Sequence, residues 1–399
     1  MKDPLISVVV PAYNYGRFLR DCIGGLLAQT YPNWELLVVD NGSTDDTAEV
    51  LAGYTDPRIR KFHIKENRGA VPAWELGYRE SRGDYFAILP ADDMFLPDKL
   101  QRQVDFLREN PEIGAVGTYI QEINDKGAVC NENSWIVPYI NQPIDLADLK
   151  HWRWRHYLCI PTALYSKELC EKAGAVPSDG LSSICDWDFH IRLLGVGTKM
   201  AVIPEVLTSY RWHGSNTSQK RGDAILQWTY SHAKNYVPVI RKIAPEPRRE
   251  IRDCLLALYL DPGRNYFFED VPRHQLCAMT EALLDPEGGL EHFADYAEFR
   301  RYAENWAVDS DNRAALAAVV DAMLDLRARL LNSEPSIVPY SHTTHFPLEG
   351  AFLRVHAEAS AARVAVVPES GVWALGYALK MFRRRIRSML KGFTGGFPT

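Results

Sequence analysis

Residues 6–14 read Ile-Ser-Val-Val-Val-Pro-Ala-Tyr-Asn, and this stretch decides the fold. Its first five residues are almost entirely β-branched, as is typical of a strand buried on both faces of a parallel sheet. The apolar run ends at Pro11, where a short polar loop begins. A buried strand that delivers a polar loop is the first half of a strand-loop-helix unit.

The same alternation continues through the first third of the chain. Further strands are predicted at 36–39, 61–64 and 85–89, and helical spacing of apolar residues predicts helices at 18–27 and 70–81. Between them, Ser43 or Thr44 can cap a second helix. This βαβαβαβ order predicts an α/β fold whose parallel sheet has right-handed crossovers.

Later segments are less regular. A helix is predicted at 99–109 and a strand at 115–123, and Asn124–Gly127 is typical of a hairpin turn that leads to a return strand near residue 128. Beyond residue 220, long helical patterns separated by Pro and Gly prevail. We therefore predict three parts: 1–219 as the α/β domain, 220–335 as a helical domain, and 336–399 as an extended segment with a basic amphipathic helix.

Composition excludes several classes of protein. The 399 residues are 46% hydrophobic and 24% charged, which is ordinary for a soluble globular chain. A formal net charge of -6 argues against nucleic-acid binding, which needs a basic surface. The 7 scattered cysteines contain no Cys-x-x-Cys pair, which favours free thiols in a reducing compartment. Without a signal-peptide pattern at the start, we expect a cytoplasmic protein.

Polar loops follow each predicted strand, at 11–16, 40–46, 67–69 and 90–94. Ligands of parallel sheets bind outside the carboxyl ends of the strands, so all four loops lie where a ligand is expected. Any one of them could be an ordinary turn or helix cap. Four at successive strand ends favour a binding site.

Two features of these loops indicate chemistry. Asp40 can accept a hydrogen bond from the N–H of a nucleobase, or it can cap the next helix. Asp92 and Asp93 repel each other, so a cation or a ligand donor is the natural compensation. The alternative for this pair is a solvated acidic turn.

Four motifs, namely Pro11-Ala12-Tyr13-Asn14, Asp40, Asn67-Arg68-Gly69 and Asp92-Asp93, together resemble family-2 glycosyltransferases of the GT-A fold. The resemblance covers residues 4 to about 215. It implies a Rossmann-like, mostly parallel sheet flanked by helices and followed by a mostly helical C-terminal region. It also implies transfer of a sugar from a nucleotide diphosphate donor, of UDP type, with inversion, to a hydroxyl of a glycan or lipid-linked glycan.

The resemblance also assigns roles to residues. Those expected to contact the nucleotide or donor are Pro11, Ala12, Tyr13, Asn14, Asp40, Asn67, Arg68, Gly69 and Asp92. Asp93 is expected to bind a divalent metal, Mn²⁺ or Mg²⁺, with His213 as a further ligand or as a structural histidine. Pro90 stands where many members carry another aspartate, so the ligand set departs from the family pattern here.

A second acidic motif spans residues 183–192. By resemblance Asp186 is the general base, whereas Cys185 replaces a common glutamate and Asp188 is an ordinary first-turn acid. Trp187 is either a platform for the acceptor sugar or part of the core. Trp154, within an aromatic and basic run, is a second candidate acceptor contact.

The C-terminal tail has an amphipathic helical pattern at 372–393, with apolar residues on one side and basic residues on the other. Such a helix can lie on an anionic membrane surface. It can equally dock on the second domain or on another copy of the chain in a homo-oligomer. A lipid-linked acceptor would make contact with the inner face of the cell membrane useful.

Three other functions were weighed against this one. A nucleotidyltransferase needs a Gly-rich basic loop after the first strand, which residues 11–16 lack. A dehydrogenase needs Gly-x-Gly-x-x-Gly after a strand, which is also missing. A nucleotide- or glycan-binding scaffold without turnover remains as the alternative, because Pro90 and Cys185 depart from the family pattern.

Overall fold

The computed structural model describes residues 3–134, 136–143, 146, 152, 158–174, 180–214, 216, 224–243, 271–284, 293, 295–309, 313–314, 316–318, 320–321 and 324. The chain divides into two compact units, Met1–Glu250 and Ile251–Thr399. The three-part division expected from the sequence stays a prediction. Trp154 and the tail at 372–393 lie outside the described residues.

Eight strands form one sheet in the first unit. They are β1 (Ile6–Ala12), β2 (Trp34–Asp40), β3 (Ile59–His63), β4 (Tyr85–Ile88), β5 (Met94–Phe95), β6 (Ile113–Ile123), β7 (Leu164–Ser166) and β8 (Lys199–Arg211). Their order across the sheet is β3-β2-β1-β4-β7-β6-β8-β5.

Helices connect and flank these strands. In the first unit they are α1 (Gly16–Leu27), α2 (Thr47–Ala52), α3 (Ala70–Glu80), α4 (Lys99–Glu109), α5 (Ile136–Ile140), α6 (Lys167–Lys172), α7 (Cys185–Gly195), α8 (Ala224–Ser231) and α9 (Val237–Ile243). A π-helical turn, His232–Tyr236, joins α8 to α9. In the second unit, α10 (Arg273–Leu284) and α11 (Tyr296–Glu304) are described.

The four strands that alternate with helices are parallel neighbours, as predicted. β7 is antiparallel to both β4 and β6, and β6 and β8 pair in parallel. β1–β4, β6 and β8 therefore all run in one direction, so their carboxyl ends share one edge of the sheet. The predicted α/β fold with a mostly parallel sheet is confirmed.

Burial explains which residues became strands. All 7 residues of β2 are buried, and so is β1 except for half-buried Pro11. Helix α1 covers one face with Phe18, Leu19, Cys22, Ile23 and Leu26, the positions that helical spacing had predicted. The sheet and its helices enclose a continuous apolar core.

Two local predictions need correction. Ser43 and Thr44 do not cap α2, which begins at Thr47. Both residues contact Asn14 of the first loop instead, and the Asp45 carboxylate accepts the Thr47 N–H at 3.0 Å. The hairpin at residues 124–127 is present, but its predicted return strand is a single bridge between Ile123 and Val129.

The second unit has a polar network of its own. The Glu281 carboxylate on α10 accepts hydrogen bonds from Tyr302, from the indole of Trp306 at 2.7 Å and from Arg313 at 3.2 Å. Since Arg313 also lies against the rings of Tyr302 and Trp306, the network ties α10 to α11 and the residues after it.

Two further expectations concern the environment of the protein. The six cysteines within the described residues are all free thiols, of which four are buried. Across the described part of the chain, no helix is both long and apolar enough to cross a bilayer.

Candidate functional site

The candidate site lies at the sheet edge where β1, β2, β4, β6 and β8 end. Ala12, the last residue of β1, pairs with Asp40, the last residue of β2. Asp92 and Asp93 follow β4, and Arg211 and His213 end and follow β8. The edge therefore brings together motifs that are far apart in the sequence.

Asp40 is 3% exposed, and both of its carboxylate oxygens have partners. One accepts the Ser43 N–H at 2.9 Å, and the other lies 3.0 Å from His63 Nδ1. The His63 side chain is 63% exposed, so a ligand could displace it at little cost. Sequence reasoning missed His63, although its position at the end of β3 could have indicated it.

The first loop is held by Asn14, whose backbone is left-handed with φ of 56°. Asn14 donates its N–H to Ser43 Oγ at 3.0 Å, and its side-chain oxygen accepts the Thr44 N–H at 2.8 Å. Asparagine tolerates this conformation better than most residues. Asn14 thus links the first two loops, and the adjacent Tyr13 ring is left 40% exposed.

The third loop is tied to the second by Asn41, which the sequence analysis did not single out. Asn41 is buried, and its amide donates to Asn67 Oδ1 at 3.0 Å and to the Gly69 carbonyl at 2.7 Å. Gly69 has φ of 87° at the start of α3, a conformation that favours glycine. Arg68 is exposed beside this loop.

The acid pair is nearly sealed from solvent: Asp92 is 8% and Asp93 is 2% exposed. Asp92 Oδ2 lies 3.0 Å from His213 Nε2, and Asp93 Oδ1 accepts the Arg211 N–H at 2.8 Å. Burial, and then the neighbouring Asp92 charge, raise the pKa of Asp93 well above its usual value. Two negative charges side by side are therefore unfavourable here, even with the charge of Arg211 nearby.

Aromatic residues enclose the acids from the side of α1. The rings of Tyr15 and Phe18 lie 5.9 and 5.1 Å from the His213 ring. Burial, followed by the charges of Asp92 and Asp93, raises the pKa of Tyr15. Tyr15 is a site residue that the sequence analysis missed, although it directly follows the first motif.

Arg211 is a further site residue that the sequence did not indicate. Its side chain is fully buried, and it donates to backbone carbonyls and to one carboxylate around the acid pair. Asn216, next to the expected histidine, holds the same segment by accepting the His213 N–H at 2.6 Å and donating to the Arg211 carbonyl at 2.9 Å. A single buried arginine at a strand end leaves no periodic signal in a sequence.

Asp186 lies half-buried in the first turn of α7, where one of its oxygens accepts the Trp187 N–H at 2.8 Å. Burial raises the pKa of the Cys159 thiol, and the charges of both Asp93 and Asp186 raise it further. A common cleft for Asp186 and the acid pair stays a prediction.

Asp188 has a different environment from Asp186. It is 3% exposed and accepts hydrogen bonds from Ser231 Oγ at 2.7 Å, Asn235 Nδ2 at 2.7 Å and Arg192 Nε at 3.0 Å. These contacts tie α7 to the end of α8 and to the π-helical turn that follows it. Asp188 is a structural acid, in line with the role expected from the sequence.

Trp187 is 5% exposed and packs against the ring of His232 at 5.5 Å. This environment is that of a core residue, the option that the sequence left equally open. Its contact with an acceptor sugar stays a prediction, as does that of Trp154.

Donors for a divalent cation are present as a pair of carboxylates and one imidazole, from Asp92, Asp93 and His213. Hard cations prefer such oxygen ligands, and a cation would offset the mutual repulsion of the two acids, so the donor chemistry fits Mn²⁺ or Mg²⁺. Within the described residues, however, no three His, Cys, Asp or Glu side chains are already grouped as a closed cation site. Diphosphate oxygens would have to complete the ligand set.

Comparison with known proteins gives the same family. Residues 7–174 match the family model described as glycosyl transferase family 2. An uncharacterized glycosyltransferase of Rickettsia felis is 41% identical over 128 residues, which are 32% of this chain and 21% of the relative. The putative teichuronic acid biosynthesis glycosyltransferase TuaG of Bacillus subtilis is 38% identical over 108 residues, 27% of this chain and 43% of TuaG.

These relatives are matched over less than half of their own length. A longer match, to an uncharacterized glycosyltransferase of Haemophilus influenzae, is 28% identical over 240 residues and covers 58% of this chain and 70% of the relative. Among solved structures, TarS 1–349 of S. aureus in complex with UDP-GlcNAc gives a TM-score of 0.58 at 15% identity, covering 83% of this chain and 91% of that one. At this identity the likeness concerns the fold, which is the expected GT-A fold.

Proposed function

Residues 7–174 belong to glycosyltransferase family 2, and on that premise we propose that the protein is an inverting glycosyltransferase. It moves a sugar from a nucleotide diphosphate donor, of UDP type, to a hydroxyl of a glycan or lipid-linked glycan. The observation that carries the proposal is that one edge of the sheet brings together Asp40, the Asp92–Asp93 pair and His213, which are far apart in the sequence. A nucleotide pocket beside an acid pair that can hold a cation is what such a reaction requires.

The donor nucleotide binds across the ends of β1 and β2. Asp40 accepts the N–H of the base after His63 is displaced, and the exposed Tyr13 ring lies beside it. A carboxylate that accepts from a ring N–H suits uracil, which offers one donor between two carbonyls. Arg68, exposed on the third loop, is available to the diphosphate.

The diphosphate binds next to Asp92 and Asp93. These acids and His213 would hold the divalent ion, which would neutralise charge on the departing nucleoside diphosphate. Asp92 Oδ2 also lies 3.0 Å from His213 Nε2, so the carboxylate is oriented before a ligand arrives. Ribose or donor-sugar contacts are assigned to Asp92 and the metal contact to Asp93.

Asp186 acts from the opposite side of the sugar. It accepts the proton of the acceptor hydroxyl while that oxygen forms a bond to the anomeric carbon. The bond between the anomeric carbon and the diphosphate oxygen breaks, and the electron pair leaves with the diphosphate. Attack from the face opposite the leaving group inverts the anomeric centre.

We further assign the product to cell-surface polysaccharide biosynthesis, which the similarity to TuaG, a putative teichuronic acid biosynthesis glycosyltransferase, supports. The basic pattern at 372–393 would bring the enzyme to the inner face of the cell membrane, where a lipid-linked acceptor would be found. Binding of vesicles with and without anionic lipid by the full chain, compared with a chain ending at residue 371, tests this assignment.

The experiment for the central proposal has two stages. A thermal-shift screen of UDP, GDP, CDP and TDP with Mn²⁺ identifies the base, because a ligand of the folded state raises Tm. Transfer or hydrolysis of the matching donors is then measured for Asp93→Ala and Asp186→Ala. The control is Glu168→Gln, an exposed acid on α6 paired with Lys172.

We expect both site variants to lose transfer and the control to retain it. NMR of the product should show the anomeric configuration opposite to that of the donor. Full transfer by both site variants would refute the proposal. Nucleotide binding without any product from the unmodified chain would instead support the scaffold function.

A further inference from the structure

Arg211, the last residue of β8, is a fully buried arginine with an unusual set of partners. Its Nε donates to the Asp92 carbonyl at 2.8 Å, and its Nη1 donates to the carbonyls of Asn124 and Asp125 at 2.8 and 3.2 Å. Its Nη2 donates to Asp21 Oδ2 of α1 at 2.8 Å. One side chain therefore contacts three separate segments.

The same residue also contacts the second acid. Its backbone N–H donates to Asp93 Oδ1 at 2.8 Å, so Arg211 fixes the main chain of one acid and the carboxylate of the other. In the sheet it pairs with Ile123, the residue before the turn that its guanidinium binds. Arg211 thus holds both the acid pair and the turn at residues 124–127.

A purely structural role does not require a charge at this place. Burial of a guanidinium costs several kcal/mol unless it is well compensated. Here Asp21 is the one carboxylate that its side chain bonds, and Asp21 is 51% exposed at its side chain. Within the described residues, the other partners of the Arg211 side chain are neutral carbonyls and the Phe18 ring, which lies 4.6 Å from the guanidinium carbon.

The planar guanidinium of Arg211 makes contacts that a lysine ammonium could not make together. Five N–H groups in fixed directions can hold carbonyls on two loops at once, whereas an ammonium group on a flexible stem cannot. Because catalysis depends on placing charges to within about 1 Å, a loosened acid pair would weaken diphosphate binding and turnover together.

We propose that Arg211 is a positioning residue that holds Asp92 and Asp93 in place for the diphosphate. It touches no substrate and acts through the acids and the turn at 124–127. This inference rests on the proposed function, since it assigns the acid pair to the diphosphate.

The test compares the binding of a nucleoside with the binding of its diphosphate and Mn²⁺. Uridine reports the base pocket at Asp40, and UDP with Mn²⁺ reports that pocket together with the acid pair. In Arg211→Lys we expect UDP·Mn²⁺ to bind at least about 10-fold more weakly and kcat to fall roughly 10- to 100-fold. Uridine binding should change less than 2-fold, and the KM for the acceptor less than about 3-fold.

A second variant covers the case in which Arg211→Lys does not fold. Asp21→Asn removes the carboxylate partner of Arg211, which is half-exposed. Asp56→Asn is the matched control, because it also removes a carboxylate that pairs with an arginine, Arg58, but does so ahead of β3. We expect Asp21→Asn to weaken UDP·Mn²⁺ binding roughly 3- to 10-fold with uridine binding retained, and the control to weaken neither. Calorimetry and ligand-observed NMR measure both ligands.

The outcomes separate this inference from the proposed function. If the unmodified chain binds no nucleoside diphosphate and transfers no sugar, the proposed function itself fails. If it binds and transfers, but Arg211→Lys and Asp21→Asn bind UDP·Mn²⁺ as tightly as the control, the positioning role is overturned. Equal losses of uridine and UDP binding would also overturn it, since they indicate general damage.

Discussion

Asp186 and Asp188 lie two residues apart on the first turn of α7, and exchanging each for asparagine should have opposite effects. The Asp188 carboxylate accepts three hydrogen bonds, one of them from Arg192, whose side chain is 18% exposed. Breaking a buried ion pair costs about 3–5 kcal/mol, and the partial exposure of Arg192 favours the lower end. At roughly 2–4 °C per kcal/mol, Asp188→Asn should lower Tm by roughly 6–12 °C.

Asp186→Asn should change stability little and activity greatly. Asp186 is half-buried in the first turn of α7, so its replacement removes a favourable charge at a helix N-terminus. That loss is about 0.3–1 kcal/mol. Removal of a general base should lower kcat/KM roughly 10²- to 10⁴-fold.

The assay pairs a thermal melt with initial transfer rates on the same preparations, well below each Tm. Asp188→Asn is expected to melt early yet transfer at a rate within about 5-fold of the unmodified chain. The reasoning is refuted if Asp186→Asn transfers normally. It is also refuted if Asp188→Asn loses transfer while its Tm is unchanged, because that acid would then be acting in the reaction.

Three further predictions concern stability and the base pocket. Lys99 is fully buried, and desolvation holds its pKa well below the usual value, so unfolding takes up a proton. Between that depressed pKa and about pH 10.4, the unfolding free energy of the unmodified chain should therefore rise by about 1.4 kcal/mol per pH unit. Lys99→Met should lack this rise in urea titrations. Gly25→Ala should destabilise the protein by about 1–3 kcal/mol, since the new Cβ would lie 2.7 Å from the Phe95 carbonyl oxygen. At Gly24 a Cβ meets nothing within 4 Å, so Gly24→Ala should stabilise α1 by up to about 1 kcal/mol. Equal melting temperatures for the two variants would contradict this. Asp40→Asn should weaken uridine binding by roughly 10-fold in calorimetry, and an unchanged affinity would exclude Asp40 from base recognition.

The sequence predicted the central sheet well because its strands are buried on both faces. β1, β2 and β4 are short apolar runs, and each ends in a polar loop, so both their type and their common edge follow from the pattern. The helices α1, α3 and α4 were likewise found to within two residues at each end. In these segments local preference and burial agree.

The antiparallel strands could not be predicted in this way. β5 and β7 have 2 and 3 residues, too few to carry a period. They became strands because β8 and β6 offer them unpaired backbone groups, which is a property of the assembled sheet. The same limit explains the wrong helix cap at Ser43, whose hydroxyl is taken by the first loop.

For the candidate site, the motif residues were predictable and their supports were not. Tyr15, Asn41 and Arg211 act through contacts with chain segments far from them in sequence. Such a contact exists only when β1, β2 and β8 stand at one edge. Single residues of this kind leave no spacing or periodicity to detect.

The pairing of β8 with both β6 and β5 has a consequence for how the protein is made. Asp93 precedes its backbone partner Arg211 by 118 residues, so the ribosome exposes the acids well before their clamp exists. At roughly 5–20 residues per second, this delay lasts roughly 6–24 seconds. Once β6 has been made, the growing chain presents an open β6 edge that another nascent chain could capture, and chaperone cover is most needed until residue 211 has emerged.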